Sequence, residues 1–233
     1  NRLQMNELLE EFAREWERAS GPALRRNVPL HDHSTFRIGG PADLFLEAAT
    51  TAELASAVRM ARARRILHRV IGGGFNLLCD DAGYRGLIIK NLAGGLLWDP
   101  VGETIEAGSG ARIGDLTSAA ATRGWGGLEF LAGIPGTVGG AVYGNAGAFG
   151  RAVCDVLVEA RLLTAAGDEV GVGPLDLDFR YRHSRLKASS DVLLGARLRP
   201  VPAPPGEIWA AMDENLALRT RRHPPRDTAY PGS

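Results

Sequence analysis

A chain of 233 residues is long enough to bury a sizeable core in one large domain or two modest ones. Its 27 Lys and Arg residues balance its 27 Asp and Glu residues, so no net charge favours binding to nucleic acid or to a membrane surface. The apolar runs are far shorter than the roughly 18 to 20 residues that span a bilayer, and two distant cysteines do not suggest a metal site. We therefore predict a cytoplasmic globular protein.

The N-terminal segment, residues 1–26, is predicted to contain an amphipathic helix. Leu8, Leu9, Phe12 and Trp16 recur at helical spacing, and the pattern ends before Gly21. A His-x-His pair follows at residues 31–33. Because no third ligand is in view, we favour ordinary loop or strand histidines over a metal site, and we predict no bound metal.

A β-α-β unit comes next and leads into a first glycine-rich loop. Residues 43–48 alternate like a short strand, Thr50 and Glu53 form a capping box that opens a helix to about Arg64, and residues 66–71 form a second strand. The loop, residues 72–78, begins with three consecutive glycines, which can present main-chain N–H groups to one anion. It matches neither Gly-x-Gly-x-x-Gly nor a P-loop, and a simple turn remains the alternative.

The remaining elements have weaker patterns. Two further strands, a helix from Ile113 that ends before Gly124, a hairpin, a last strand and a final helix are predicted. Their ranges are 86–91 and 104–107 for the strands, 153–163 with 170–172 for the hairpin, 192–198 for the last strand and 207–221 for the final helix.

The densest glycine cluster lies in residues 128–150. Removing so many Cβ atoms from one stretch lets the backbone turn tightly and approach another group closely. We interpret it as backbone that contacts a large planar, phosphorylated ligand. A glycine-rich loop or a close-packed helix pair without a ligand is the alternative.

Residues 178–187 place four cations within eight residues and interleave Phe179 and Tyr181 with them. Such a run is usually a solvated face. Because guanidinium groups pair with carboxylates through two parallel donors, a pocket for an anionic substrate is equally consistent with the pattern.

These motifs together resemble the UDP-N-acetylenolpyruvoylglucosamine reductase family of bacterial peptidoglycan synthesis. The resemblance runs from about Asn27 to Ser233 and is most specific at residues 71–78, 128–148 and 179–184. It implies an α+β, FAD-binding fold of the vanillyl-alcohol-oxidase (PCMH) type, with FAD laid between two lobes at residues 27–92 and 93–222. Residues 223–233 would be a linker and the start of a C-terminal substrate-binding domain, which we expect to be absent.

The resemblance also implies the residues of the site. Those expected to bind FAD without a covalent bond are Gly72, Gly73, Gly74, Phe75, Asn76, Leu77, Gly133, Pro135, Gly136, Thr137, Gly139, Gly140, Asn145, Ala146 and Gly147. NADPH would be the hydride donor and a UDP-sugar the substrate, which Tyr181 and Arg182 would contact. Arg182 would stabilise an enolate and Ser233 would donate a proton. We expect a monomer.

Three departures from the family pattern stand out. Phe75 replaces a common serine, Tyr143 and Gly144 replace a more usual apolar pair, and a glutamate of the family's C-terminal domain has no counterpart. One alternative is therefore a flavin-binding fragment without turnover. Another is a different FAD-dependent oxidoreductase of the same fold, although neither glycine-rich segment has the histidine that would carry a covalent flavin. We expect Gly73→Val to abolish flavin retention, partly because valine disfavours positive φ.

Overall fold

The computed structural model describes residues 2–19 and 21–222. The chain forms two compact units, of which the first ends at Ala93 and the second begins at Gly94. Each unit has its own sheet. The predicted glycine-rich loop at residues 72–78 lies in the first unit, whereas the glycine cluster and the cation-rich run lie in the second.

The first unit is a four-stranded sheet with two helices. Its strands have the order β1-β2-β4-β3; β1 is antiparallel to β2, and β2 and β3 are both parallel to β4. This arrangement confirms the predicted β-α-β unit. The bounds are α1 Arg2–Arg18, β1 Leu24–Pro29, β2 Pro41–Ala48, α2 Thr51–Ala63, β3 His68–Ile71 and β4 Tyr84–Asn91.

Local sequence explains where α2 begins. The Thr50 hydroxyl accepts a hydrogen bond from the N–H of Glu53 at 3.1 Å, and the Glu53 carboxylate accepts one from the N–H of Thr50 at 3.1 Å. The strands are held by a core that includes Phe45, Ile71 and Ile88, all of them buried. The end of β3, and hence the start of the glycine-rich loop, is fixed by this core.

The second unit is built on a five-stranded antiparallel sheet with the order β11-β10-β12-β6-β5. Two short antiparallel pairs, β7 with β13 and β8 with β9, accompany it. The strands are β5 Leu96–Asp99, β6 Thr104–Gly108, β7 Trp125–Gly126, β8 Gly147–Ala148, β9 Arg151–Ala152, β10 Leu157–Leu163, β11 Glu169–Val172, β12 Val192–Leu198 and β13 Val201–Pro202. The helices are α3 Ile113–Thr122, α4 Val138–Tyr143 and α5 Pro205–Arg222. No helix in the described ranges is long and apolar enough to cross a bilayer.

Several predicted boundaries were wrong. The hairpin strand predicted from Val153 begins at Leu157, because residues 153–155 form a 3₁₀ turn. The final helix begins at Pro205, two residues before the predicted start, because proline is well suited to the first turn of a helix. The glycine cluster contains the short helix α4, which low glycine helix propensity argues against.

Candidate functional site

The loop at residues 72–78 follows β3 and turns sharply at Gly74. Gly74 has φ +74°, and a Cβ there would lie 2.0 Å from the carbonyl oxygen of His33. Of the three consecutive glycines, Gly74 is the one with positive φ. The prediction that Gly73 needs positive φ is therefore wrong, and the conformational requirement belongs to Gly74.

The hydrogen bonds of this loop are unevenly distributed between its donors and its acceptors. The carbonyl of Gly74 accepts from the N–H of Thr35 at 3.1 Å and from its hydroxyl at 3.3 Å, and the carbonyl of Leu77 accepts from the Ser34 hydroxyl. By contrast, the main-chain N–H groups of residues 73–78 donate to no acceptor within the described ranges. A loop in which two carbonyls are turned to protein donors and several N–H groups have no protein acceptor is suited to an anion.

Segment 33–35 braces the loop and is itself held by β2 and β4. The His33 ring stacks on Phe45 with centroids 4.4 Å apart, and its Nδ1 lies 3.3 Å from the Lys90 ammonium. Burial, and then the nearby Lys90 and Arg25, lower the pKa of His33. A neutral His33 can therefore accept the hydrogen bond from Lys90.

The same observations bear on the His-x-His pair. His31 directs Nδ1 to the carbonyl of Gly39 at 3.3 Å, whereas His33 contacts Phe45 and Lys90. Across the described part of the chain, no group of three or more His, Cys, Asp or Glu side chains could hold a metal ion.

The glycine cluster in the second unit is closely packed. A Cβ at Gly133 would lie 2.7 Å from Leu216 on α5, one at Gly139 would lie 2.8 Å from the carbonyl of Ser109, and one at Gly147 would lie 2.5 Å from the carbonyl of Arg151. Their lack of a side chain thus serves packing. The predicted flavin contacts of Gly133, Pro135, Gly136, Thr137, Gly139, Gly140, Ala146 and Gly147 remain predictions.

Many donors in this cluster are already occupied. The N–H groups of Gly139, Gly140 and Ala146 donate to the Ser109 carbonyl, the Thr137 hydroxyl and the Ala141 carbonyl at 2.7, 3.3 and 2.8 Å. The backbone of α4 is consequently fixed within its own unit.

Asn145 joins the glycine cluster to the cation-rich run. Its side chain is buried, its Nδ2 donates to the carbonyl of Arg180 at 3.1 Å, and its Oδ1 accepts from the N–H of Cys154 at 3.2 Å. Its φ of +44° is in the left-handed region, which asparagine tolerates better than most residues. Two segments that sequence patterns identify separately are thus in direct contact within the second unit.

Within the cation-rich run, Arg182 differs from its neighbours. Arg180 pairs with Asp178 at 2.9 Å, Arg185 pairs with Asp191 at 3.5 Å, and the Lys187 ammonium donates to the carbonyl of Arg182 at 2.7 Å. The Arg182 guanidinium has no carboxylate or hydrogen-bond partner among residues 2–19 and 21–222 and lies 5.7 Å from the ring centre of Tyr181. Arg182 is therefore available to an external anion.

Sequence patterns did not point to Ser34, whose hydroxyl holds the glycine-rich loop by donating to the carbonyl of Leu77. The two residues are 43 positions apart in the chain, so no local signal indicates the contact. Ser233, the expected proton donor, lies outside the described residues.

Comparison with known proteins identifies relatives of this chain. The FAD binding domain family matches residues 42–173. The UDP-N-acetylenolpyruvoylglucosamine reductase of Synechococcus sp. (strain JA-3-3Ab) is 41% identical over 210 residues, covering 86% of this chain and 65% of that protein. The reductase of Rubrobacter xylanophilus is 42% identical over 209 residues, covering 88% of this chain and 69% of that protein.

Solved structures give the same result. The crystal structure of UDP-N-acetylenolpyruvylglucosamine reductase from Thermus caldophilus superimposes with a TM-score of 0.75 at 31% identity, covering 89% of this chain and 73% of that one. A berberine bridge enzyme variant, at 18% identity and a TM-score of 0.55 over 72% of this chain and 36% of that one, shows likeness of fold alone. The predicted fold class is confirmed.

The chain spans about two thirds of the length of these curated relatives. Its identity to them exceeds 40%, and the matched family region covers both glycine-rich segments. The chain therefore belongs to the UDP-N-acetylenolpyruvoylglucosamine reductase family and carries its FAD binding domain.

Proposed function

We propose that this protein binds FAD without a covalent bond and uses it, with NADPH as hydride donor, to reduce UDP-N-acetylglucosamine enolpyruvate to UDP-N-acetylmuramate. The observation that carries the proposal is the set of main-chain N–H groups at residues 73–78, which have no acceptor in the described ranges, beside the carbonyls of Gly74 and Leu77, which have partners. A pyrophosphate is the part of FAD that such a row would bind.

The residues present fit an FAD pyrophosphate. The backbone turns at Gly74, where a Cβ would meet the carbonyl of His33, and Gly72 and Gly73 before it place no side chain between the main chain and a ligand. Phe75 supplies no hydroxyl, which leaves the contact to the main-chain N–H groups of Gly73, Gly74, Asn76 and their neighbours. The segment at residues 133–147 would supply further contacts to the flavin.

When bound, a flavin would supply hydride-transfer chemistry between NADPH and the enolpyruvyl double bond. The chain's own contribution is to bind the substrate carboxylate and to stabilise the negative charge that builds on it. Arg182 has the chemistry for this role, since a guanidinium stays ionised and offers two parallel donors to a carboxylate. Tyr181, 91% exposed beside it, would contact the substrate. Ser233 would donate the proton to the neighbouring carbon.

The test separates the two half-reactions in the full-length protein by stopped-flow absorbance. We expect Arg182→Ala to slow the flavin-to-substrate step roughly 100- to 1,000-fold and to spare reduction by NADPH, because its donors act where charge develops. The matched control is Arg180→Ala, two residues away, whose guanidinium is paired with Asp178 and should affect neither step. Equal losses in both half-reactions of the Arg182 variant would overturn the assigned role.

A further inference from the structure

Arg182 is held in an unfavourable backbone conformation. Its φ is +54°, in the left-handed region, where the Cβ of an L-residue crowds the following carbonyl. Such conformations persist only when surrounding contacts impose them, and they cluster at functional sites. The contacts that impose this one therefore determine where the Arg182 guanidinium points.

The ends of the turn are fixed by neighbouring groups. Arg180 and His183 exchange main-chain hydrogen bonds, each of 3.1 Å, across the turn. Beyond it, the Ser184 hydroxyl donates to the carbonyl of Tyr143 at 2.7 Å, and Asn145 donates to the carbonyl of Arg180. These bonds attach the turn to the end of α4 and hold the N–H end of the peptide group between Arg182 and His183, but none of them is accepted by the carbonyl oxygen of Arg182.

Lys187 contacts the carbonyl oxygen of Arg182. Its ammonium donates to the carbonyl of Arg182 at 2.7 Å and lies 5.8 Å from the ring centre of Tyr143. In the described part of the chain, no other side chain hydrogen bonds to Arg182, and no carboxylate pairs with Lys187. The ammonium of this exposed lysine thus interacts with one main-chain oxygen and with the face of an aromatic ring.

We propose that Lys187 is a positioning residue, which holds the Arg182 peptide in the left-handed conformation and so aims the Arg182 guanidinium at the substrate carboxylate. The proposal rests on the proposed function, since it acts through Arg182. A lysine can donate to the carbonyl and keep a positive charge beside the anion site at once. Loss of the bond would let the turn relax and displace the guanidinium, and small displacements of an aligned group cost about 10- to 100-fold in rate.

The experiment compares Lys187→Met, Lys187→Arg, Arg182→Ala and the Arg182→Ala/Lys187→Met double variant in the full-length protein. We expect Lys187→Met to slow the flavin-to-substrate step about 10- to 100-fold. Flavin content, reduction by NADPH and thermal midpoint should stay unchanged. Lys187→Arg, which keeps a charged donor, should restore most of the rate. Because Lys187 acts through Arg182, the double variant should be no slower than Arg182→Ala alone.

The possible contradictions are distinct. If the double variant is slower than Arg182→Ala by the full effect of Lys187→Met, Lys187 contacts the substrate itself and the inference is wrong. If Lys187→Met lowers flavin content and the thermal midpoint together, its role is structural and the inference is likewise wrong. If Arg182→Ala slows the step but Lys187→Met does not, the inference fails and the proposed function stands. An unaffected Arg182→Ala variant would overturn both.

Discussion

The two glycine-rich segments look alike in sequence but differ in how their backbones are used. In residues 72–78 the carbonyls of Gly74 and Leu77 accept hydrogen bonds from Thr35 and Ser34, while the N–H groups of residues 73–78 lack acceptors in the described ranges. In residues 133–147 glycines give room for Leu216, Ser109 and Arg151, and several N–H groups donate within the unit. A glycine cluster can thus mark either donors offered to a ligand or close packing.

The comparison predicts where substitution of a glycine removes flavin and where it removes stability. A Cβ at Gly74 in the first segment would meet segment 33–35, which holds the loop that carries the unpaired N–H groups. In the second segment, a Cβ at Gly139 would meet the main chain of Ser109, and one at Gly133 would meet helix α5. Paired variants within the two segments separate these effects.

Gly74→Ala should have the largest effect. Gly74 and Gly150 share a left-handed φ, +74° and +76°, but only Gly74 has a carbonyl 2.0 Å from the added Cβ, whereas nothing lies within 4 Å at Gly150. We expect Gly150→Ala to lower the free energy of unfolding by about 1 kcal/mol through strain alone. Gly74→Ala should cost roughly 3 kcal/mol and lose most of its FAD. Urea denaturation and flavin content check both values, and equal effects would mean that the His33 contact is unimportant.

A smaller effect is expected from a pair of variants within α4. A Cβ at Gly139 would lie 2.8 Å from the Ser109 carbonyl, whereas one at Gly140 would lie 3.8 Å from its nearest neighbour, the Thr137 hydroxyl. Gly139→Ala should therefore lower the free energy of unfolding by about 1–3 kcal/mol. Gly140→Ala should raise it by up to about 1 kcal/mol, because alanine favours helix.

Flavin titration of the same pair tests the cofactor role of Gly140. We expect Gly140→Ala to bind FAD more weakly with no loss of stability. If Gly140→Ala instead loses stability as Gly139→Ala does, the space available for a Cβ does not explain why α4 contains glycine at these two positions.

The smallest effect concerns pH, which changes the protonation of His33 in segment 33–35, next to the glycine-rich loop. Burial lowers the pKa of His33, with contributions from Lys90 and Arg25 that outweigh those of Glu47 and Asp32, and burial lowers that of His68. The folded state then binds fewer protons than the unfolded state once the pH falls below the usual histidine value of about 6.5. Stability should be unaffected above that pH and should decrease below it.

The measurement is the thermal midpoint between about pH 7.5 and pH 5.5. His33→Phe keeps a ring against Phe45 but cannot titrate, so the decrease should be smaller in that variant, with His68 accounting for the remainder. A decrease that is the same in wild type and variant would contradict the role given to His33.

Local signals predicted much of the fold. The capping box at Thr50, the apolar alternation of β2 and the hairpin at residues 157–172 are determined by neighbouring residues, and the structure has them. The helix α4 could not be foreseen, because its glycines disfavour helix and its position depends on contacts with Ser109. Tertiary packing overrides propensity there.

The candidate site was partly predictable for the same reason. The cation-rich motif pointed to Arg182. Only the structure shows that Asp178 pairs with Arg180 and Asp191 with Arg185, whereas Arg182 has no carboxylate partner among the described residues. Likewise, three consecutive glycines suggested an anion-binding loop, but the brace from Ser34 and Thr35 depends on contacts about 40 residues apart in the chain. Spatial pairing of distant residues is the information that sequence patterns lack.

The most direct test of the central claim, that the backbone donors of residues 73–78 bind the pyrophosphate of FAD, is the visible absorption spectrum of the purified protein. We predict a yellow protein that carries one flavin per chain and releases it on denaturation, with a Gly74→Ala variant that is nearly colourless. A wild-type protein that is colourless, and stays so after incubation with excess FAD, would contradict the claim.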